Sequence, residues 1–317
     1  MIWFNLTFAL ERREMGTKRK ILVSGATGLI GSAVARAAHE AGMEVTTLVR
    51  RHRQVASGAV YWNPEKAGSA AHPMVLEGLD AVVHLSGANI GRRWTRAWRR
   101  EIVASRVETT RSLCRSLERV RQRPRVLLVA SAVGIYGDRG GEWLSEASAA
   151  GDGFLAETCQ AWEQAAAKAS ELGVRVVHLR FGVVLDRRGG ALGRMLPVFR
   201  LGLGGKLGSG RQWMSWVSLG DAVRAVMFLM ERDDLAGAFN VTAPQPVTNA
   251  EFTKALGAAL GRPTVMTAPR SVLRALLGEM ANETLLASQR ALPRRLMDAG
   301  FRFEDEEIGA ALKVLLG

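Results

Sequence analysis

KILVSGATGLIG (residues 20–31) brings a strand, a tight turn and the start of a helix into one short stretch. The run from Lys20 to Ser24 is rich in Ile, Leu and Val and ends at Gly25, the pattern of a buried strand. Leu29, Ile30, Val34, Ala37 and Ala38 then recur at helical spacing, Gly42 closes the helix, and EVTTLVR (44–50) follows as a second strand. Strand, glycine turn, helix and strand within about 30 residues make a βαβ unit, the building block of a parallel sheet.

The glycines of Gly25-Ala-Thr-Gly28-Leu-Ile-Gly31 permit a tight turn, close backbone approach to a pyrophosphate, and close packing of helix on strand. The helix start offers free N–H groups and the positive end of a dipole to the phosphates. With a strand before it and a helix after it, the loop points to dinucleotide binding. The bland alternative is a set of glycines that serve only the turn. A site that prefers NAD carries Asp or Glu at the end of the second strand for the ribose 2′-hydroxyl. Arg50 and Arg51 stand there instead, followed by His52 and Arg53, and no carboxylate occurs before Glu65. Guanidinium pairs with the extra phosphate of NADP, so the expected cofactor is NADP.

The same rhythm continues. DAVVHLSG (80–87), RVLLVAS (125–131) and VRVVHLRFGVVL (174–185) read as strands, with helices over 96–120 and 154–172 between them. Continuous apolar strands alternating with helices predict an α/β fold, a doubly wound parallel sheet of Rossmann type. After residue 185 the texture changes. GLGGKLGSGRQW (202–213) is glycine-rich, 221–230 is a helix, 237–243 a strand, and the tail from 248 is helical with breaks at Pro263, Pro269 and Pro293. The expected division is an N-terminal extension over 1–18, a cofactor domain over 19–185 plus 216–244, and a C-terminal substrate lobe over 186–215 plus 245–317.

The chain has 317 residues, 48% hydrophobic and 23% charged, which excludes a disordered or fibrous protein. A formal net charge of +13 favours acidic partners. The two cysteines, Cys114 and Cys159, are too few for a disulfide framework or a cysteine-rich metal site, and a reducing cytoplasm is the expected compartment. No apolar run is long enough to span a bilayer, and MIWFNLTFAL followed by ERRE lacks the order of a signal peptide. Met15 opens a stretch like an ordinary start, so residues 1–14 are expected to have no functional role. Residues 92–125 hold twelve arginines against three glutamates. Without a recognition motif this reads as a solvated helix face rather than a nucleic-acid footprint.

GATGLIG, LDAVVHLSGA (79–88) and VASAVGIYG (129–137) resemble, in order, the cofactor loop, fourth strand and fifth strand of the extended short-chain dehydrogenase/reductases. RRWT (92–95), SRVETT (105–110), FLAETCQAWE (154–163), LRFGVVLDRRGGAL (179–192), GLGGKLGSGRQWMSWV (202–217) and the tail motifs over 268–281 and 285–303 resemble one atypical subgroup, known only as epimerase family proteins. The likeness runs from about residue 19 to the end. It implies that Gly25, Thr27, Gly28, Leu29, Ile30 and Gly31 line the pyrophosphate and that Arg50 binds the 2′-phosphate. It places Leu85, Ser86 and Gly87 beside the adenosine and ribose, and Phe181, Gly182 and Val183 near the nicotinamide. Ser131 is the nearest match to the family's catalytic serine or threonine, one residue off the usual spacing to the Tyr-Gly pair.

The wider family uses Tyr-x-x-x-Lys, in which the tyrosine is acid or base and the lysine lowers its pKa and holds the ribose. The matching segment, 152–166, contains neither residue. Aligned on Glu163, Leu155 and Cys159 stand at the two positions; aligned on the aromatic, Phe154 and Thr158 do. Tyr136 is a candidate to face the pocket or to pack, and Glu163 a candidate proton-transfer group or a helix-surface carboxylate. Arg93 and Arg106 are candidates to reach an anionic substrate. In sugar-nucleotide epimerases an arginine that holds the diphosphate stands where this chain has Met214, with Trp213 and Trp216 around it and Arg211 three residues earlier. A small substrate other than a nucleoside-diphosphate sugar is therefore expected, on an oxidoreductase or epimerase-like enzyme. The alternative is an NADPH-binding sensor without turnover. No membrane or nucleic-acid partner is expected, and a monomer or homodimer is.

Overall fold

The structure, a computed structural model, describes residues 18–50, 58–64 and 73–317. Arg51, expected at the 2′-phosphate, and most of the N-terminal extension lie outside the described residues. The first half of the chain runs β1 (Lys20–Ser24), α1 (Leu29–Glu40), β2 (Glu44–Val49), β3 (Ala59–Tyr61), α2 (Pro73–Leu76) and β4 (Ala81–His84). Then come α3 (Arg96–Val103), a π-helical turn Ala104–Glu108, α4 (Thr109–Leu117), β5 (Val126–Ala132), β6 (Trp143–Leu144) and α5 (Phe154–Ala167). Ile21, Leu22 and Val23 are all wholly buried, as consecutive residues are only when a strand is covered on both faces.

The second half adds β7 (Arg175–Phe181), β8 (Val183–Asp186), α6 (Gly190–Arg200), β9 (Gly205–Leu207), β10 (Trp213–Met214), β11 (Trp216–Ser218) and α7 (Leu219–Glu231). It ends with β12 (Gly237–Val241), β13 (Val247–Thr248), α8 (Asn249–Leu260), β14 (Met266–Ala268), α9 (Arg270–Leu277), β15 (Arg290–Ala291), α10 (Arg294–Asp298) and α11 (Ile308–Leu316).

Seven strands form one sheet in the order β12-β7-β5-β4-β1-β2-β3, and every neighbouring pair is parallel. This is the doubly wound sheet, with the reversal of strand order between β1 and β4, where ligands of such sheets bind. Helices flank it in pairs, α1 against α7 and α4 against α5. Two expectations are corrected. The single strand over 174–185 is two strands. β7 stays in the sheet, Gly182 turns the chain, and β8 pairs with β11. A Cβ at Gly182 would lie 2.5 Å from the Ser215 carbonyl oxygen, so only glycine fits the crossing. The single helix over 96–120 is interrupted by the π-helical turn, an insertion that often marks a functional position.

A second hydrophobic core lies beyond the sheet, built from Leu192, Leu196 and Phe199 of α6, Phe252 and Leu256 of α8, and Ile308, Ala311 and Leu312 of α11. Trp216 belongs to it. The indole is wholly buried and its Nε1–H donates to the Gln245 carbonyl at 2.9 Å. That corrects its expected place beside the substrate, because a side chain filling a core has no face left for a ligand.

Candidate functional site

The glycine turn sits where β1 meets β4. Gly25 has φ +71°, and a Cβ there would lie 2.5 Å from the Leu85 carbonyl oxygen. A Cβ on Gly31 would lie 2.3 Å from the Gly25 carbonyl oxygen. Both positions therefore require glycine on packing grounds alone. Gly28 is the N-cap of α1 and no side chain caps that helix, so its first N–H groups look outward over the turn. Thr27 and Gly28 are exposed, and Leu29 and Ile30 half-buried, on the rim. An uncapped helix start over an open glycine turn is a cradle for a pyrophosphate. Arg50 is exposed immediately after β2, one strand away.

Beneath the turn, Ser86 donates to Ser24 at 3.1 Å, and the Ser24 hydroxyl shares a hydrogen bond of 2.6 Å with His84 Nδ1. Ser86 thus spends its side chain tying β1 to β4. His84 is wholly buried, burial lowers its pKa to about 4, and its Nε2 has no hydrogen-bond partner. Beside it, the peptide of Ala88 is held at both ends. Its N–H donates to Ser105 Oγ at 2.9 Å, and its carbonyl accepts from Arg106 Nη2 at 3.0 Å. A Cβ on Gly87 would lie 3.1 Å from the Arg106 guanidinium carbon. The bare Gly87 backbone is what lets Arg106 come in so close.

The three catalytic candidates meet one another at the far side of the sheet. Ser131 donates to Glu163 Oε1 at 2.6 Å. Arg180 of β7 grips the same carboxylate with Nε and Nη2, each at 2.9 Å. Arg180 Nη1 also donates to the Tyr136 hydroxyl at 3.0 Å, and Tyr136 donates to Asn240 Oδ1 at 2.8 Å. Burial alone raises the Glu163 pKa, but the Arg180 hydrogen bonds and charge, with the Ser131 hydroxyl, bring it below its ordinary value. Burial raises that of Tyr136 against the pull of Arg180. Tyr136 is wholly buried, the packing alternative of the two left open by the sequence. Glu163 is no helix-surface carboxylate either, since its side chain is 13% exposed in a bidentate ion pair.

The positions of the missing pair are equally clear. Leu155 faces the turn after β5, 3.7 Å from where a Cβ on Gly134 would stand. Cys159 lies against Ser131 and Ala132, buried, with its thiol pushed up to about 11 by burial. Phe154 and Thr158 point elsewhere. Phe154 meets Trp94 edge to face at 5.2 Å, and Thr158 bonds back to the Phe154 carbonyl at 2.6 Å. Phe181 is buried at the end of β7, while Val183 is half-buried after the Gly182 turn.

The substrate candidates do not converge. Arg93 is exposed on the loop before α3. Arg211 and Trp213 line a separate open cavity of about 550 Å³ with Gly140, Gln212 and Ser288. Trp213 also stacks on Arg290, whose guanidinium carbon is 3.7 Å from its ring and 3.5 Å from that of Trp143. Sequence reasoning missed Arg180, His84 and Asn240, strand residues that look like ordinary alternation. It also missed Glu283, whose carboxylate accepts from the Phe154 and Leu155 N–H groups at 2.9 and 2.8 Å and so caps α5 from the C-terminal tail. No local signal couples residues so far apart.

Residues 21–242 match the model of the NAD dependent epimerase/dehydratase family, and residues 268–315 match a domain of unknown function, DUF1731. An epimerase family protein of Mycobacterium bovis is 45% identical over 293 residues, 92% of this chain and 96% of its own. The human epimerase family protein SDR39U1 is 37% identical over 301 residues, 94% of this chain and 99% of its own. In a crystal structure with NADPH, that human protein superposes with a TM-score of 0.84 at 36% identity, over 93% of this chain and 98% of the other. A nucleoside-diphosphate sugar epimerase from Corynebacterium glutamicum gives a TM-score of 0.77 at 34% identity, over 95% of this chain but only 59% of the other. The sheet, the glycine cradle and these matches agree: the chain belongs to the NAD dependent epimerase/dehydratase family.

Proposed function

We propose that this protein binds NADP(H) and uses it on a small anionic substrate, as an oxidoreductase or epimerase-like enzyme. The observation that carries this is the cradle itself, an uncapped helix start over glycines that admit no side chain, with Arg50 one strand away and no acidic residue at the end of β2. The NADPH in the crystal structure of the human relative supports the choice of cofactor. Gly25 to Gly31 would hold the pyrophosphate and Arg50 with Arg51 the 2′-phosphate. Leu85 to Gly87 would flank the adenosine half, and Phe181, Gly182 and Val183 the nicotinamide half. When bound, the cofactor supplies hydride transfer. The chain's contribution is to bind, orient and exclude water, because Leu155 and Cys159 leave no proton-transfer group where the wider family has one. Ser131 is the hydroxyl at the end of β5, already engaged by an ionised Glu163.

That engagement favours the second reading, a protein that senses NADPH without turnover. Titration of both cofactors by fluorescence, followed by consumption on a carbonyl panel, separates them. Tight NADPH binding with no consumption selects the sensor, and equal affinity for NADH and NADPH refutes the cofactor choice. The substrate is not a nucleoside-diphosphate sugar, since the Met214 thioether cannot neutralise a diphosphate. Micromolar binding of UDP-glucose that vanishes in Arg211→Ala would overturn this. The second core around α6, α8 and α11 supports a substrate lobe over 186–215 plus 245–317. Among the described residues no helix is long and apolar enough to cross a membrane. We place the protein in the cytoplasm as a monomer or homodimer.

A further inference from the structure

The C-terminal half of the chain carries two stretches without an acidic residue. Residues 187–220 hold six Arg or Lys and no Asp or Glu, and residues 252–278 hold four and none. The fold lays these stretches side by side. β9 pairs in parallel with β14, Gly205 opposite Met266, and α6 packs on α8. A Cβ on Gly202 would stand 3.8 Å from the Pro263 ring, so the loop after α6 meets the loop after α8. Five apolar side chains are exposed at this junction: Val198, Leu201, Leu203, Val265 and Met266. Leu201 is 75% and Val265 84% exposed, while the inner faces of α6 and α8 fill the second core. Lys206 and Lys254 stand beside Val265 and Met266, and with three threonines they line an open cavity of about 360 Å³. Arg200 ends α6 and Arg262 follows α8, both exposed. None of these four cations pairs with a carboxylate among the described residues. Glu251, just before the second stretch, accepts instead from the Thr248 N–H and hydroxyl, at 2.7 and 2.8 Å.

An exposed aliphatic patch rimmed by cations marks a surface that meets a partner. Charge and chemistry choose among the partners. A second copy docked by the same face would set lysines and arginines against their own kind, because a two-fold contact pairs a patch with itself. A nucleic acid would match the charge, but the patch offers no aromatic ring to a base, and aliphatic side chains gain nothing against phosphate. A bilayer with anionic lipids matches both features at once. Its headgroup phosphates take the cations, and its acyl boundary takes the aliphatic tips. We propose that this face of the C-terminal lobe docks on an anionic lipid surface, with Leu201, Leu203, Val265 and Met266 inserted and the four cations on the headgroup phosphates. The expectation of no membrane partner follows from spanning length and does not extend to a contact of this kind, which needs no spanning helix. The docking is independent of the cofactor reading, since the glycine cradle lies in the other domain.

Co-sedimentation of the full chain with vesicles tests this. Vesicles of phosphatidylcholine and phosphatidylglycerol in equal parts should carry the protein down, and pure phosphatidylcholine should not. Raising the salt should weaken the binding. Lys206→Gln with Lys254→Gln should weaken it about ten- to thirtyfold. Leu201→Gln with Val265→Gln should weaken it about tenfold or more. All four side chains are exposed, so Tm should hold within about 2 °C in both variants. Should the apolar pair fail to fold, Val265→Gln alone carries that arm. Loss of binding in both variants supports the proposal. Unchanged binding in either variant overturns it, as does failure of the unaltered chain to bind the mixed vesicles. A loss on poly(U) as large as on vesicles in the lysine variant would assign the face to nucleic acid. A change from dimer to monomer in the apolar variant would assign it to a second copy. Either result also overturns the proposal.

Discussion

Replacing Glu163 with alanine leaves the Arg180 guanidinium stranded. The two side chains are 13% and 11% exposed, and the carboxylate accepts three hydrogen bonds, two from Arg180 and one from Ser131. Removing one partner of a buried pair costs about 3–5 kcal/mol, mostly through the charge left behind. The Tyr136 hydroxyl and the Glu146 carbonyl still accept from Arg180, at 3.0 and 3.4 Å, which places the loss near the lower end. For a chain of this size that is a Tm drop of roughly 4–6 °C. Replacing both partners, Glu163→Leu with Arg180→Met, should cost less than Glu163→Ala alone, since no orphan charge remains. The pH dependence follows from the sign of the shift. The folded pKa of Glu163 is depressed, so its contribution is complete above the unfolded value near 4.5 and is lost as pH falls through the lower folded value. The gap in Tm between wild type and Glu163→Gln should therefore narrow below about pH 4.5. Thermal melts of the four proteins decide it. A Glu163→Ala variant within 2 °C of wild type, or a double variant less stable than the single one, would refute the buried-pair account.

Gly31→Ala should abolish NADPH binding and lower Tm, because its Cβ would stand 2.3 Å from the Gly25 carbonyl oxygen; a variant that binds normally would show that the turn yields. Both thiols are buried and pushed up to about 11 by burial, so at pH 8 only roughly one in a thousand is ionised. A disulfide reagent should find neither Cys114 nor Cys159 in the native protein and both in denaturant, and rapid native labelling would contradict the burial. Glu283→Ala removes the cap of α5, at a cost of about 1–2 kcal/mol. Proteolysis should then cut first in the tail near residue 283, and an unchanged cleavage pattern and Tm would argue against the clamp.

The local signals in the chain were strong where one element carries its own pattern. Ile21-Leu22-Val23 with three spaced glycines announces a buried strand, a turn and a helix, and the repetition of that unit announces a parallel sheet, whose strand order only the structure gives. The absence of tyrosine and lysine from 152–166 is equally plain from composition. The π-helical turn, the break at Gly182 and the burial of Trp216 were not legible, because each depends on what packs against it rather than on its neighbours in sequence. The same holds for the Glu163–Arg180 pair and the Glu283 cap. Their partners lie 17 to 129 residues apart, and pattern within a window of one helix or strand carries no information at that range. Periodicity selects secondary structure, since it is a property of consecutive residues. Which charges are paired, and which guanidinium is left without a carboxylate, is decided only when the folded strands bring distant side chains together away from water.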